Sequence, residues 1–238
     1  MQKKVLVIIP TYNEAENIEL LIDKIGSLEI KVDILVIDDN SRDGTGNIVE
    51  KIMKKNKRVH IIKRPSKLGL GSAYVAGFRY ALEKKFDYVL TIDADFSHDP
   101  KYIPALVNKM DSVDICVGSR YAKGGHIKNW GFIRKSISRG ANLLAQILLN
   151  SKIKDNTTGF RCYKSKVVKD ILSSDIRSNG YSFLIEIAYL LQRKKYIMAE
   201  IPLYFEDRKY GKSKISKREM IQSAKMLFRL GFLRLFRR

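Results

Sequence analysis

The hydrophobic positions of this chain fall into short unbroken runs separated by stretches of helical spacing. Residues 4–9 form a run rich in Val and Ile, and 32–37, 59–62, 88–92 and 115–118 form four more. Runs of this length without polar alternation predict strands buried on both faces. Between them apolar residues return every three or four positions, as at Ile18, Leu21, Ile22 and Ile25. That spacing predicts helices over 15–25, 44–55, 71–85 and 100–110. Such alternation predicts an α/β fold, a mostly parallel sheet with helices on both faces. Pro10 reads as the end of the first strand. The strand ends near Pro10, Asp38 and Asp93 should share one carboxyl edge, where sheets of this kind bind ligands.

After residue 121 the pattern changes. Residues 123–131 read as a loop, with Gly124, Gly125 and Gly131, and 132–150 as one or two amphipathic helices. Residues 156–205 return to mixed structure, with a helix over 183–192 and a strand over 197–203. Residues 208–214 read as a polar loop and 216–236 as a basic amphipathic helix. With no repeat, low-complexity tract or linker, the expectation is a single domain over 1–238, with interface helices at about 126–150 and 216–238.

Charge changes the picture, because it is concentrated. The net charge is +20; residues 123–154 hold seven Lys/Arg and no acid, and 208–238 hold eleven Lys/Arg and one acid, so 17 of the 20 charges lie in these two segments. A basic surface confined in this way indicates one docked anionic partner: nucleic acid, anionic lipid or a phosphorylated substrate. No recognisable nucleic-acid module is present, and Leu227, Phe228, Leu230, Phe232, Leu233, Leu235 and Phe236 lie among the C-terminal basic residues, so an anionic membrane surface is the expected partner and nucleic acid is not. No apolar run approaches the ~20 residues of a membrane-spanning helix. The run 5–9 is too short for a signal-peptide core, and two cysteines, Cys116 and Cys162, make no disulfide framework. A cytoplasmic protein held peripherally on a membrane is the expectation.

Candidate chemistry gathers where the strands end. Asp93 and Asp95 directly follow the fourth run, and two carboxylates one residue apart can hold Mg²⁺ or Mn²⁺ against a diphosphate. A solvated acidic turn is the competing reading. Pro10-Thr11-Tyr12-Asn13-Glu14 follows the first run and Asp38-Asp39-Asn40-Ser41-Arg42-Asp43-Gly44-Thr45 the second. Asn13 or Thr11 could cap the first helix and Asp43 the second. Capping leaves Tyr12, Glu14 and the other aspartates unexplained, and a nucleoside pocket would use them. Gly69-Leu70-Gly71 lacks the rest of a dinucleotide fingerprint, and no Walker-type phosphate loop exists. His98 reads as a turn residue. Glu186, on an apolar helix, reads equally as a base or sugar contact and as half of a structural ion pair. Trp130, Phe132, Ile133 and Ile137 read as an interfacial face because of their basic neighbours.

These motifs, in this order, together with Gly118-Ser119-Arg120-Tyr121, resemble the family 2 glycosyltransferases with the GT-A, Rossmann-like fold. T-T-G-F-R-C-Y at 157–163, G-Y-S-F-L-I-E at 180–186 and D-R-K-Y-G-K-S-K at 207–214 are similar to the dolichol-phosphate mannose synthases. The resemblance implies inverting transfer of mannose from GDP-mannose to a dolichyl or polyprenyl phosphate; a UDP-glucose-dependent polyprenyl-phosphate glucosyltransferase is the alternative. It implies that Pro10, Tyr12, Glu14, Ile37 and Asp39 contact the nucleoside, that Asp93, Ala94 and Asp95 form the metal–diphosphate motif, and that Ser97 falls where some relatives carry a further metal ligand. It places Arg120 near the donor sugar and phosphates, Arg208 and Lys214 on a loop closing over the diphosphate, and Arg134 and Ser138 at the lipid phosphate. Some members of the family continue into transmembrane helices; a membrane-anchoring partner protein is the corresponding expectation here.

Overall fold

A computed structural model describes residues 3–180, 182–207 and 217–236. From the amino end, β1 (Val5–Thr11), α1 (Ala15–Gly26), β2 (Asp33–Asp38), α2 (Thr45–Lys55), β3 (Val59–Lys63), α3 (Leu70–Glu83) and β4 (Tyr88–Thr91) alternate. A 3-10 turn at Pro100–Tyr102 leads into α4 (Ile103–Lys109) and β5 (Ile115–Ser119). Then come β6 (His126–Lys128), α5 (Phe132–Leu149), β7 (Arg161–Lys164), α6 (Ser165–Leu172), α7 (Ser182–Arg193), β8 (Met198–Pro202), β9 (Tyr204–Glu206) and α8 (Lys217–Phe236).

Seven strands form one sheet in the order β3-β2-β1-β4-β7-β5-β8, parallel except for β7, which runs against both neighbours. Successive residues of β1 and β2 face opposite layers. Val5, Val7, Ile9, Ile34 and Val36 pack with α1, α2 and α4, while Leu6, Ile8, Leu35 and Ile37 pack with α3, α6 and α7. That is why the strands read as continuous apolar runs. A third cluster joins Ala145 and Leu149 of α5, Ile185 and Tyr189 of α7, and Met226, Leu227 and Leu230 of α8.

The antiparallel β7 matters for the site. Its amino end meets the carboxyl ends of its neighbours, with Arg161 opposite both Thr91 and Val117. The segment leading into β7 therefore joins the edge that carries Asp93 and Arg120. The buried Arg161 guanidinium fixes that segment by donating to the carbonyls of Asn156, Thr158 and Leu184 (2.7–2.9 Å).

Several sequence readings need correction. Pro10 lies inside β1 rather than ending it. On that strand Ile8 accepts from Ile92 on the β4 side and Thr11 from Asp39 on the β2 side. By alternation Pro10 faces the β4 side, beyond the last β1–β4 pair, Ile8 with Thr91, where no donor is needed. The stretch read as a loop over 123–131 contains β6, which pairs in parallel with β9 in a separate two-stranded sheet. β7 and α6 lie in the stretch read only as mixed structure. The C-terminal helix is present, and one face of it completes the third cluster instead of lying wholly at the surface.

Candidate active site

The turns after β1 and β2 are built against each other. Asn13, in a left-handed conformation with φ 54°, receives Arg42 N–H on its Oδ1 (2.9 Å) and gives its own N–H to Ser41 Oγ (2.8 Å). Glu14 N–H donates to Thr45 Oγ1 and Ala15 N–H to Asp43 Oδ2, both at 2.9 Å. Asp43 thus serves the first turn of α1 and also accepts Thr45 N–H at the start of α2. Burial raises its pKa, but the hydrogen bonds from Thr45 and Ala15 outweigh it and hold the carboxyl below its ordinary value. The helix start expected from Asn13 or Thr11 therefore comes from across the edge, out of the second motif.

Asp39 is buried and paired with Arg64, and its Oδ2 accepts Leu68 N–H (3.2 Å). Arg64 in turn reaches Ser72 Oγ (2.7 Å) and Gly69 O (3.1 Å), so Gly69, just before α3, and Ser72 within it anchor the Asp39 partner. Lys67 Nζ sits 4.5 Å from the centre of the Tyr12 ring. Glu14 accepts from Asn17 Nδ2 (2.9 Å). Pro10 is half-buried, whereas the Ile37 side chain lies wholly in the core and leaves its backbone as the part facing the turn, where Thr11 Oγ1 donates to its carbonyl (3.4 Å).

Asp93 and Asp95 follow β4 and line a cavity of about 650 Å³; Ala94 between them is buried. Ser97 N–H donates to Asp95 Oδ1 (3.1 Å) and shapes the turn, and the Ser97 hydroxyl lies 3.4 Å from His98 Nδ1. His98 is no solvated turn residue. It is 2 % exposed between the rings of Phe160 and Phe205, with Nε2 3.2 Å from Thr158 Oγ1. Burial pushes its pKa down to about 4, so its 3.6 Å approach to Asp93 is that of a neutral imidazole. Gly159 gives Asp93 room: a Cβ there would fall 2.7 Å from Tyr74 Oη and 3.1 Å from Asp93 Oδ1.

Arg120, after β5, is buried and held by Asp155. Nε and Nη2 donate to the two carboxylate oxygens at 2.7 Å, Nη2 also reaches Thr157 Oγ1 (2.7 Å), and the Arg120 N–H adds a bond of 3.0 Å. Burial raises the Asp155 pKa, but Arg120 outweighs it and keeps the carboxylate charged. Arg134 and Ser138, on consecutive turns of α5, line the same cavity. Ser138 Oγ lies 2.7 Å from Tyr121 Oη, and Arg134 pairs with Asp207. Ile133, Ile137, Leu144, Ile185 and Leu227 add apolar surface to the cavity lining. Arg208 and Lys214 lie outside the described residues.

Asp93, Asp95, Ser97, Arg120, Arg134 and Ser138 thus line one cavity. The residues that orient its arginines, Asp155, Thr157 and Asp207, and the Asp39 partner Arg64, were not singled out from the sequence. The signal was thin: Thr157 and Asp207 open quoted motifs that assigned them no role, Asp155 and Arg64 lie outside the motifs, and each takes its meaning from a partner far along the chain. Glu186 takes the structural reading. Its Oε2 accepts Arg177 and Ser178 N–H (3.2 and 2.8 Å), and Arg229 lies 3.8 Å away. Among the described residues no three His, Cys, Asp or Glu side chains gather as a metal cage. Two carboxylates suit a hard divalent cation that completes its shell with water and substrate phosphate oxygens.

Residues 6–172 match the model of Glycosyl transferase family 2. Over 216 residues the chain is 38% identical to the polyprenol monophosphomannose synthase of Mycolicibacterium smegmatis, covering 90% of this chain and 82% of that one. Over 213 residues it is 38% identical to the undecaprenyl-phosphate mannosyltransferase of Micrococcus luteus, covering 90% and 88%. Among solved structures it resembles glucosyl-3-phosphoglycerate synthase from Mycobacterium tuberculosis in complex with Mn²⁺, UDP and phosphoglyceric acid, with a TM-score of 0.71 at 17% identity over 96% of this chain and 78% of that one. The same enzyme with Mg²⁺ and UDP gives 0.69 at 17% identity, over 97% and 80%. At that identity the likeness shows the fold.

Proposed function

This chain belongs to glycosyl transferase family 2, and from that membership and its site we propose that it transfers mannose from GDP-mannose to a polyprenyl phosphate with inversion at the sugar carbon. The observation that carries this reading is the cavity, which is lined by the carboxylates Asp93 and Asp95, by Arg120, Arg134 and Ser138, and by apolar side chains. The carboxylates suit a metal-bound sugar diphosphate, the arginines and the hydroxyl a phosphate monoester, and the apolar lining an isoprenoid chain. The names of the two relatives supply the mannose and the lipid phosphate.

The acceptor is already an anion at neutral pH, so no strong general base is required. Arg134 and Ser138 aim its phosphate at the sugar carbon, and Arg120, fixed by Asp155 and Thr157, stands beside the diphosphate. Asp93 and Asp95, with Ser97 adjacent, would hold Mg²⁺ or Mn²⁺, which when bound neutralises the departing diphosphate. Tyr12, Glu14 and Asp39, with Pro10 and the Ile37 backbone, are assigned to the nucleoside. Arg208 and Lys214 are assigned to the leaving diphosphate. His98, neutral and buried, keeps the turn after Asp95 in place.

The apolar residues exposed on α5 and α8 support peripheral docking on an anionic membrane. Phe132 and Ile133 are 85% and 75% exposed, and Ile147, Phe228 and Phe232 are exposed as well. Lys135, Arg139, Lys225 and Arg229 lie on the same two helices. No helix among the described residues is long and apolar enough to cross a membrane. The test is a donor screen with the full chain, polyprenyl phosphate in vesicles, and GDP-mannose or UDP-glucose. Labelled lipid is expected from GDP-mannose. Label from UDP-glucose alone would overturn the donor, and no labelled lipid from either would overturn the acceptor.

A further inference from the structure

Arg134 is restrained in two directions by residues that leave one small sheet. Trp130 follows β6 and Asp207 follows β9, and these strands pair at Ile127 and Phe205. Their exits are joined again by Lys128 to Glu206 (3.3 Å) and by Asn129 Nδ2 to Glu206 Oε1 (3.3 Å). Trp130 packs edge-on against Phe205, ring centres 5.2 Å apart, and the centre of its ring lies 4.1 Å from Arg134 Cζ, a cation–π contact that holds the guanidinium against the indole face. Asp207 fixes its end. Both carboxylate oxygens accept from Nη1, at 2.9 and 2.8 Å, and neither bond uses Nε or Nη2.

That choice of atom carries chemical information. A guanidinium grips a carboxylate or phosphate most firmly through two parallel N–H groups, and the Nε–Nη2 edge is one such pair. A carboxylate placed only to neutralise Arg134 would take a paired edge, as Asp155 does with Nε and Nη2 of Arg120. Asp207 takes the tip. Arg134 lines the cavity together with Ser138 one turn further on.

We propose that Asp207 is a positioning residue for the acceptor: with Trp130 it clamps Arg134 by face and tip, so that the Nε–Nη2 edge is held ready for the phosphate monoester of the lipid. This rests on the acceptor class given above. The opposite role for the same contact is competition, in which the carboxylate occupies Arg134 and the incoming phosphate must expel it. The two roles predict opposite signs for removal of Asp207.

Trp130 is the only tryptophan of the chain, so intrinsic fluorescence reports on the clamp itself. Farnesyl phosphate is titrated into the full-length wild type and into Asp207→Ala and Asp207→Asn, with farnesol as the phosphate-free control, and acceptor and donor KM are measured in parallel. Asp207→Ala should weaken farnesyl phosphate binding and raise acceptor KM roughly tenfold, the scale of one lost charge-assisted hydrogen bond, with donor KM unchanged. Asp207→Asn keeps an oxygen that accepts from Nη1 and should lie near wild type. In an Arg134→Ala background the Asp207→Ala effect should vanish. Tighter binding in Asp207→Ala would overturn positioning in favour of competition, and unchanged binding, or equal loss of donor and acceptor KM, would also overturn it. If wild type binds farnesyl phosphate but transfers no sugar to any prenyl phosphate, the proposed function fails and the clamp stands. If it transfers sugar while Asp207→Ala binds like wild type, the clamp fails and the function stands.

Discussion

Asp155 and Asp95 are both buried acids at the sheet edge, yet they should respond to truncation in opposite ways. Asp155 is wholly buried and receives three bonds from Arg120, so Asp155→Ala strands a guanidinium that is itself 8 % exposed. The expected loss is about 3–5 kcal/mol, read from urea unfolding. Its folded pKa lies below the ordinary carboxylate value, so the pair's stabilisation is fully present above about pH 4 and is lost as pH falls through the folded value. Acid unfolding of wild type should show that loss, and Asp155→Asn should not. Asp95 accepts Ser97 N–H and lines the cavity. Asp95→Ala should change stability by less than about 1 kcal/mol while lowering turnover roughly a hundredfold or more, and EDTA should do the same to wild type. Full turnover in EDTA would contradict the metal assignment.

At the level of elements, α3 lies close on β1 because Gly77 has no side chain: a Cβ there would sit 2.7 Å from Ile8 Cδ1 and 2.8 Å from Cγ2. Gly77→Ala should cost about 1–3 kcal/mol by overpacking, visible as a lower urea midpoint at constant slope. The alternation that places α3 was legible in the sequence, since each parallel strand is an apolar run followed by a helix-spaced stretch. β7 was not, because Arg161 to Lys164 are four mixed residues whose strand character comes from β4 and β5 on either side. β6 and β9 are three-residue strands that, among the described residues, pair only with each other, so neither leaves a local pattern. The site divided in the same way. Asp93, Asp95 and Arg120 stood in recognisable motifs, and Arg134 and Ser138 were placed by the family resemblance. Asp155, Asp207 and Arg64 act by orienting another charged side chain, and that role exists only once the strands are assembled. His98 lies in a turn, as read, but its burial was not legible, because Phe160 and Phe205, which cover it, come from elsewhere in the chain.

Across the whole molecule, α8 both completes a buried cluster and presents apolar residues at the surface. Met226, Leu227 and Leu230 pack on α5 and α7, and Leu227 walls the cavity. Ile221, Phe228 and Phe232 remain 57–61% exposed. Removing the helix would therefore confound docking with the loss of a cavity wall. Point changes separate them: Phe228→Ser with Phe232→Ser should weaken binding to anionic vesicles by about tenfold to a hundredfold, measured by sedimentation, and leave urea stability within about 1 kcal/mol. Unchanged sedimentation would remove α8 from the docking surface. The exposed Phe132 and Ile133 stand immediately before Arg134, so the surface assigned to the bilayer and the arginine assigned to the acceptor are neighbours on one helix. An enzyme built this way meets its acceptor by lateral diffusion. Its velocity should then follow the mole fraction of polyprenyl phosphate within the vesicle, falling when inert lipid is added at a fixed amount of acceptor, and staying constant when the same vesicles are simply thinned with buffer while the protein remains bound.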